Sequence, residues 1–452
     1  MIDTLETQSA SSGGLFTREK LLTEALETEN PMERPRGRRP GRVPAPTDRG
    51  ADLFEKQPET RLLTMRKGNA ENGEFLRLLT NEGMTRDAYA IKNIPAERSE
   101  SEPKGRLEAD LMKKVLITGA NGQIGSELIF ELRKRLGADS VVGLDLREPG
   151  EEQQKAGPYE VLDATDKAGL EKIMAKYQID TIFHLVGILS ATGEKNPNLA
   201  WKVNMTSLLN VLEIARETKA KNQDIHIFWP SSIAAFGPTT PREHTPQETV
   251  MVPTTMYGVT KVAGELLCQY YYLKYGVDVR SIRYPGLISW KTAPGGGTTD
   301  YAVAIFYEAV QNGKYECYLE PGTVLPMMYM PDAIRGTIEL MDAPAENIKT
   351  RTSYNFSAVS FSCAELAAEV KKLVPGFECA YNPDSRQKIA NSWPKTIDDS
   401  VARAEWGWKH EFDTRKMATD MMANLKHKFG RPVAGQKAAA SEQQAHPTKR
   451  KI

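Results

Sequence analysis

At 452 residues the chain is long enough for two or three domains of roughly 100–200 residues each, and 40% hydrophobic residues suffice for a core. Its 59 basic and 59 acidic residues cancel, so no net field favours nucleic acid or an anionic membrane as partner. The four cysteines, Cys268, Cys317, Cys363 and Cys379, show no CxxC spacing and join no histidine cluster; they read as small apolar residues of a reduced compartment, with no metal expected.

The N-terminus, MIDTLETQ, lacks the basic start and apolar core of a secretory signal, and its early acids are unlike a mitochondrial presequence. The longest apolar stretch, 179–191, contains Asp180, Thr181, His184 and Ser190 and is too short for a membrane span. A cytoplasmic protein is expected, with organellar import left open. Residues 1–111 carry polar, breaker-rich runs at 31–50 and 96–106 and are expected to be a mostly disordered extension, with short helices near 17–28 and 74–83. The basic run at 34–43 reads as a solvated linker rather than an RNA-binding arm. Met112 immediately precedes KKVLITG, so the first 111 residues are an appended segment or come from an upstream start; the sequence leaves both open. The tail 431–452 also reads as disordered.

From Lys113 strands and helices alternate. KKVLIT, VVGLDL, YEVLDA, DTIFHLVG, IHIFWPSS and DVRSIRYPG read as six strands, separated by helices at SELIFELRKRL, 167–177, 197–219 and 256–275. Such alternation predicts a parallel sheet with right-handed crossovers, an α/β doubly wound fold. After residue 290 the elements shorten. KYECYL and SYNFSA look like strands, and 300–312, 331–341, 362–373 and 413–428 look helical. The division expected is 112–290 for a cofactor-binding domain carrying the catalytic residues and 291–430 for a smaller substrate-binding region.

The turn Gly119-Ala120-Asn121-Gly122-Gln123-Ile124-Gly125 leaves a strand and opens a helix, with glycines at G-x-x-G-x-x-G. The first permits a tight turn, the second lets backbone approach a pyrophosphate, and the third allows close helix–strand packing. Helix N–H groups and the positive dipole end then face phosphate. This is a Rossmann-type dinucleotide site. Asp145 ends the second strand, where a carboxylate can accept both adenosine ribose hydroxyls and repel a 2′-phosphate, favouring NAD over NADP. Arg147 nearby keeps NADP open. Asp163, after the third strand, either meets the adenine edge or is a simple loop acid.

Tyr257-Gly258-Val259-Thr260-Lys261 is Y-x-x-x-K, which puts both side chains on one helical face. An ammonium near a phenol favours the phenolate, making tyrosine a usable general base; Lys261 can also hold the nicotinamide ribose. Ser232, at the end of the fifth strand, is placed to orient a substrate alcohol. Ser232, Tyr257 and Lys261 are therefore the candidate catalytic set.

In this order the glycine turn, strand-end serine and YxxxK make the region from Met112 to about Phe429 resemble the extended short-chain dehydrogenase/reductase (NAD-dependent epimerase/dehydratase) family. Within it, HLVGILSATGE at 184–194, PSSIAAFGPTTPR at 230–242, RYPGLIS at 283–289, PGGGTTDYAVAIF at 294–306, LPMMYMPDAIRG at 325–336, DSRQKIANSWP at 384–394 and DDSVARAEWGWKHEFD at 398–413 resemble the short-chain L-threonine dehydrogenases. Ser232 stands where such enzymes often carry threonine, and the hydroxyl is retained. The resemblance implies metal-independent, NAD-dependent oxidation of L-threonine at Cβ to 2-amino-3-oxobutyrate, which loses CO₂ or goes to a 2-amino-3-ketobutyrate CoA ligase. It also implies a homodimer, with helices near 204–219 and 257–275 pairing with their copies. By the same similarity Ser190 binds the amino acid carboxylate or amino group.

Gly296, Gly297, Thr298 and Thr299 form a loop of small side chains with free backbone donors, with Thr298 the preferred substrate contact. Trp393 caps the pocket or sits in the core. Tyr284 and Pro285 border the nicotinamide through their backbone. Asn204 either supports the active-site helix, as such an asparagine does in this family, or is a satisfied helix polar group. Arg283 either lines the site or pairs with an acid, and His184 reads as a packed strand-end histidine. Two alternatives share these residues: a nucleotide-sugar epimerase or dehydratase of the same family, and an NAD-binding scaffold without turnover. The GGGTT loop and SWP speak against the first, and the retained Ser232, Tyr257 and Lys261 against the second.

Overall fold

Short runs of β-branched and aromatic residues form a parallel sheet because helices cover both of its faces. The computed structural model describes residues 112–430, which fall in one unit of the chain, Ser101–Ile452. The expectations for residues 1–111 and 431–452 lie outside the described residues. In chain order the strands are β1 (Val115–Thr118), β2 (Val141–Asp145), β3 (Tyr159–Val161), β4 (Thr181–His184), β5 (His226–Ser232), β6 (Val279–Tyr284), β7 (Gly286–Ile288), β8 (Lys314–Cys317), β9 (Val324–Tyr329), β10 (Tyr354–Asn355), β11 (Val359–Ser362) and β12 (Glu378–Tyr381).

The main sheet has seven strands in the order β10-β6-β5-β4-β1-β2-β3, all parallel. Alternate residues of each strand feed opposite faces. Val115, Ile117 and Phe183 pack with the helices Gly125–Leu136 and Met330–Asp342, whereas Leu116 and Ile182 pack with Lys167–Tyr177 and Pro197–Lys219. The strand order reverses between β1 and β4, which opens a crevice at their carboxyl ends, where ligands bind in such sheets.

The fold is of the expected Rossmann type, and the six early strands and their helices lie where the apolar runs put them. One strand differs. The SYNFSA run, expected in the smaller region, supplies β10 as the seventh strand of the main sheet, with Tyr354 opposite Ile282 and Asn355 opposite Arg283. Two residues cannot announce that pairing locally. What holds them is tertiary: Asn355 donates to the Thr245 and Asp398 carbonyls and accepts from Arg283. The remaining strands make two small sheets, β11-β9-β7 and the parallel pair β12-β8, around a third core containing Tyr301, Phe306, Leu319, Phe361, Leu366 and Met421.

Candidate active site

The glycine turn is built around crowding. Gly119 has φ +74°, in the left-handed region, and a Cβ there would lie 2.9 Å from the Leu185 carbonyl carbon. A Cβ on Gly125 would press into the Gly119 carbonyl oxygen and stand 2.9 Å from Ala120 Cα, so the helix starts in contact with its own turn. No side chain caps the N-terminus of Gly125–Leu136. The Ser126, Glu127 and Leu128 N–H groups are taken by the Gly122 and Ile124 carbonyls, so the turn itself and the positive dipole end of the helix are what an anionic pyrophosphate would meet. Asn121 closes the neighbouring loop by donating to the Arg147 and Glu148 carbonyls at 3.0 Å.

Asp145, at the end of β2, is buried, and its two oxygens accept from the Asn121 and Arg147 backbone N–H groups at 3.1 Å. Oδ2, bonded to Asn121 N alone, keeps a further lone pair for a ribose hydroxyl, whereas Oδ1 also accepts from Arg147 Nε. Arg147 Nε lies 3.4 Å from the same carboxylate, with its side chain 71% exposed. Asp163 is exposed and turned inward on its own loop, accepting from the Thr165 N–H and hydroxyl at 2.9 Å.

At the carboxyl ends of β4, β5 and β6 lies a cavity of about 170 Å³. Gln123, Ile124, Ser190, Ser232, Tyr257 and Lys261 line it from the sheet side. Tyr284, Gly297, Thr298, Asp300 and Trp393 complete the wall. The geometry thus gathers the expected catalytic and substrate residues around one space, while Gly119, Gly122, Asn121, Gly125 and Asp145 lie along the crevice leading to it and Asp163 lies apart.

Tyr257 and Lys261 come from the helix Met256–Tyr275, started by the Thr255 side chain, which accepts from Gly258 N. Gly258 permits this helix to sit against Ala234, because a Cβ would strike the Ala234 carbonyl oxygen. Lys261 is buried, donates to the Pro230 carbonyl at 2.6 Å and lies 5.3 Å from the Tyr257 ring centre. The expectation that the lysine lowers the tyrosine is reversed here. Burial pushes the Tyr257 phenol up to about 12, with a hydrogen bond to Ser232 working against it. Burial likewise pushes Lys261 down to about 7, partly opposed by Cys268 and Glu265. Desolvation penalises both charged forms.

The substrate-side loop also differs. The backbone donors of the GGGTT loop are not all free: Asp300 Oδ2 accepts from Gly295 N at 2.7 Å and Gly297 N at 2.9 Å. The Tyr318 hydroxyl donates to the Gly297 carbonyl at 2.8 Å. Thr298 is buried and faces the cavity. Trp393 both lines the cavity and belongs to the third core. The Tyr284 hydroxyl is bonded to Thr337 Oγ1 and its ring packs against Phe228 and Phe356, leaving its backbone for the cavity.

Three polar residues have wholly internal duties. Arg283 pairs with Glu265, its Nη2 2.8 Å from Oε2, so it belongs to an ion pair. His184 is fully buried between Thr118 Oγ1 at 2.8 Å and Ser207 Oγ at 3.0 Å. Because the Ser207 hydroxyl donates to the Val203 carbonyl, it must accept from His184 Nε2–H, and Nδ1 accepts from Thr118. Burial, assisted by the Lys261 charge, lowers His184 to about 3 and keeps it neutral. Asn204 accepts from Ile188 N at 2.7 Å and donates to Thr260 Oγ1 at 3.1 Å, joining the loop after β4 to the catalytic helix.

Asp300 is the residue that sequence reasoning passed over. It stands just beyond the glycines, where an aspartate commonly accepts loop N–H groups, and that turn chemistry was the available signal. It is the only carboxylate among the residues lining the cavity. Among the described residues no group of three or more His, Cys, Asp or Glu is placed to hold a metal, and no helix is long and apolar enough to cross a membrane.

A parallel doubly wound sheet, a glycine turn at its switch point and a Ser–Tyr–Lys cluster define a dinucleotide-dependent short-chain enzyme. Residues 115–356 match the model of the NAD dependent epimerase/dehydratase family, and the chain belongs to that family. The turn and Asp145 fit the adenosine and pyrophosphate of NAD, which is its cofactor. Among named relatives, an uncharacterized epimerase/dehydratase of Staphylococcus haemolyticus (strain JCSC1435) is 50% identical over 319 residues, 70% of this chain and 99% of the relative. Among solved structures, the holo form of a GalE-like L-threonine dehydrogenase from Cupriavidus necator is 55% identical, with TM-score 0.67, covering 69% of this chain and all of that one. The L-threonine dehydrogenase of Clostridium difficile is 50% identical, with TM-score 0.68, covering 70% and 98%.

Proposed function

We propose that this chain oxidises L-threonine at Cβ to 2-amino-3-oxobutyrate. The observation that carries the reading is the small cavity at the carboxyl ends of β4–β6, where the Ser190, Ser232, Tyr257 and Thr298 hydroxyls share one wall with Asp300. At about 170 Å³ it falls below the roughly 300–1,000 Å³ usual for drug-sized ligands. It suits a small zwitterion better than a nucleotide sugar. The likeness to solved L-threonine dehydrogenases at 50–55% identity supports the same choice.

In this reading the Asp300 carboxylate pairs with the substrate ammonium, and Ser190 and Thr298 donate to its carboxylate. Ser232 orients the Cβ hydroxyl, and Tyr257 Oη takes its proton as general base. Lys261 holds the nicotinamide ribose and, when charged, stabilises the Tyr257 phenolate. NAD, when bound, supplies the hydride acceptor. The product is a β-keto acid, open to decarboxylation or to a 2-amino-3-ketobutyrate CoA ligase. Leu209, Val259, Leu266, Tyr270 and Leu273, exposed on the helices Pro197–Lys219 and Met256–Tyr275, supply an apolar face for a homodimer.

Purified protein is mixed with NAD and L-threonine and followed by NADH absorbance, with L-serine, L-allo-threonine and UDP-glucose as comparisons. NADH formation selective for L-threonine is expected, and Tyr257→Phe should keep NAD binding while abolishing turnover. Silence with every amino acid together with tight UDP-sugar binding would overturn the reading.

A further inference from the structure

Tyr257 is only the second residue of its helix, Met256–Tyr275. The first turn of a helix holds N–H groups with no helical partner, and it is where fraying begins. Thr255 satisfies one of them, at Gly258. The Met256 N–H is taken from outside the helix, by Glu194 Oε1 at 2.7 Å. Glu194 lies on Ser190–Lys195, the short helix that opens with the cavity serine. Gly193, just before it, faces the same place: a Cβ there would lie 4.0 Å from Tyr257 N and 3.4 Å from Ala200 Cβ. The segment leading into this short helix is tied as well, because Asn204 bonds both the Ile188 N–H and carbonyl and reaches Thr260 Oγ1. The Ser190 segment is therefore clamped to the catalytic helix at two points, and Glu194 is the outer one. Glu194 is exposed, and among the described residues the Met256 N–H is its one hydrogen-bond partner.

We propose that Glu194 is a positioning residue: it docks the Ser190 helix onto the N-terminus of the catalytic helix and so sets the spacing between Ser190 and the Tyr257 hydroxyl across the substrate. The inference rests on the reading that the substrate lies between those two side chains. A carboxylate suits the task because an anion at a helix N-terminus gains from the dipole and from a charge-assisted bond. Leverage makes the contact matter. The phenolic oxygen projects far from its backbone, so tilting the first turn by about 10° moves it by roughly 1 Å, and a misplacement of that order can cost up to ~100-fold in rate.

The test uses the full chain with Glu194→Ala and Glu194→Gln. Hydrogen exchange over residues 254–260 reads the docking directly, and steady-state kinetics read its consequence. Glu194→Ala should exchange faster at Met256–Gly258 and lower kcat for L-threonine about tenfold, with NAD affinity and the L-threonine KM within about threefold of wild type. Glu194→Gln keeps the Oε1 acceptor and should recover most of kcat. Unchanged exchange in Glu194→Ala, a loss confined to NAD affinity, or a displaced pH midpoint with an unchanged plateau would each overturn the proposal. A wild-type chain silent on L-threonine would withdraw the substrate reading instead; the exchange rates of the two variants would then still decide whether Glu194 docks the helices.

Discussion

Gly125→Ala isolates the role of the glycine turn without touching a charge. The added Cβ would stand 2.9 Å from Ala120 Cα and closer still to the Gly119 carbonyl oxygen, whereas ordinary contacts begin at 3.4 Å. The contact to Ala120 alone asks a retreat of about 0.5 Å, and the closer one to the Gly119 carbonyl oxygen asks more. A retreat of that size carries a backbone N–H from about 2.9 Å to the edge of hydrogen-bond range from a phosphate oxygen. Losing one charge-assisted bond costs about 1.5–3 kcal/mol, so the NAD dissociation constant should rise on the order of 10- to 100-fold. Titration of the full chain with NADH, followed by its fluorescence, measures that constant. Thermal melting of the same variant separates a local shift from general unfolding, since overpacking alone costs about 1–3 kcal/mol of stability. An affinity within twofold of wild type, with an unchanged melting curve, would show that the turn does not approach the cofactor as argued.

With Tyr257 held up at about 12, its base form is scarce at neutral pH and grows as protons are removed. At saturating NAD, kcat/KM for L-threonine should climb between pH 7 and about 9.5; a Tyr257→Phe variant that keeps the wild-type profile would remove Tyr257 as the base. Asp145→Ser removes the carboxylate that repels a 2′-phosphate and frees Arg147, so the ratio of NAD to NADP use should fall at least tenfold in parallel assays. His184 titrates near 3 when folded against 6.5 when free, so the unfolded chain alone takes up a proton between those values. Stability should be fully present above pH 6.5 and fall by several kcal/mol toward pH 3, to order of magnitude; urea midpoints for His184→Gln should fall less steeply over that window. Leu266→Glu and Leu273→Glu place charges on an exposed apolar face. For the proposed homodimer, sedimentation equilibrium should shift from twice the chain mass toward a single chain; a wild-type chain at single mass would refute the dimer, and an unshifted variant would move the interface elsewhere.

The α/β alternation was legible because each core strand is a short run of β-branched and aromatic residues closed by a breaker, a signal that survives without tertiary context. Gly119, Gly122 and Gly125 were legible because their spacing was read between a strand and a helix. Ser232, Tyr257 and Lys261 were read as an ordered set, and the fold brings them to one cavity. What escaped depends on contacts between distant residues. The two residues Tyr354–Asn355 join the main sheet through Arg283, Thr245 and Asp398, none of them local. Arg283 could be assigned to an ion pair only when the fold brought Glu265 beside it. The loop donors of Gly295 and Gly297 look free in the sequence, yet Asp300 consumes them. The direction of the Tyr257 shift is likewise set by burial, which no spacing of residues in the chain expresses.

Hydrogen-bond capacity separates the residues that build the site from those that face it. Glu265, Arg283, His184 and Asn204 are buried with several partners each, bound to groups of the chain itself. Removing any of them would strand a polar partner in the interior, which costs more than the bond itself is worth. Ser190, Ser232, Tyr257, Thr298 and Asp300 are different: each borders the cavity, even though Asp300 Oδ2 also accepts from Gly295 N and Gly297 N and Ser232 Oγ from Ala234 N. Two hydroxyls meeting a third suit an alcohol. A single carboxylate beside them suits an ammonium group. Under the proposed reading, a short amino alcohol with a carboxylate is the complement of these lining groups.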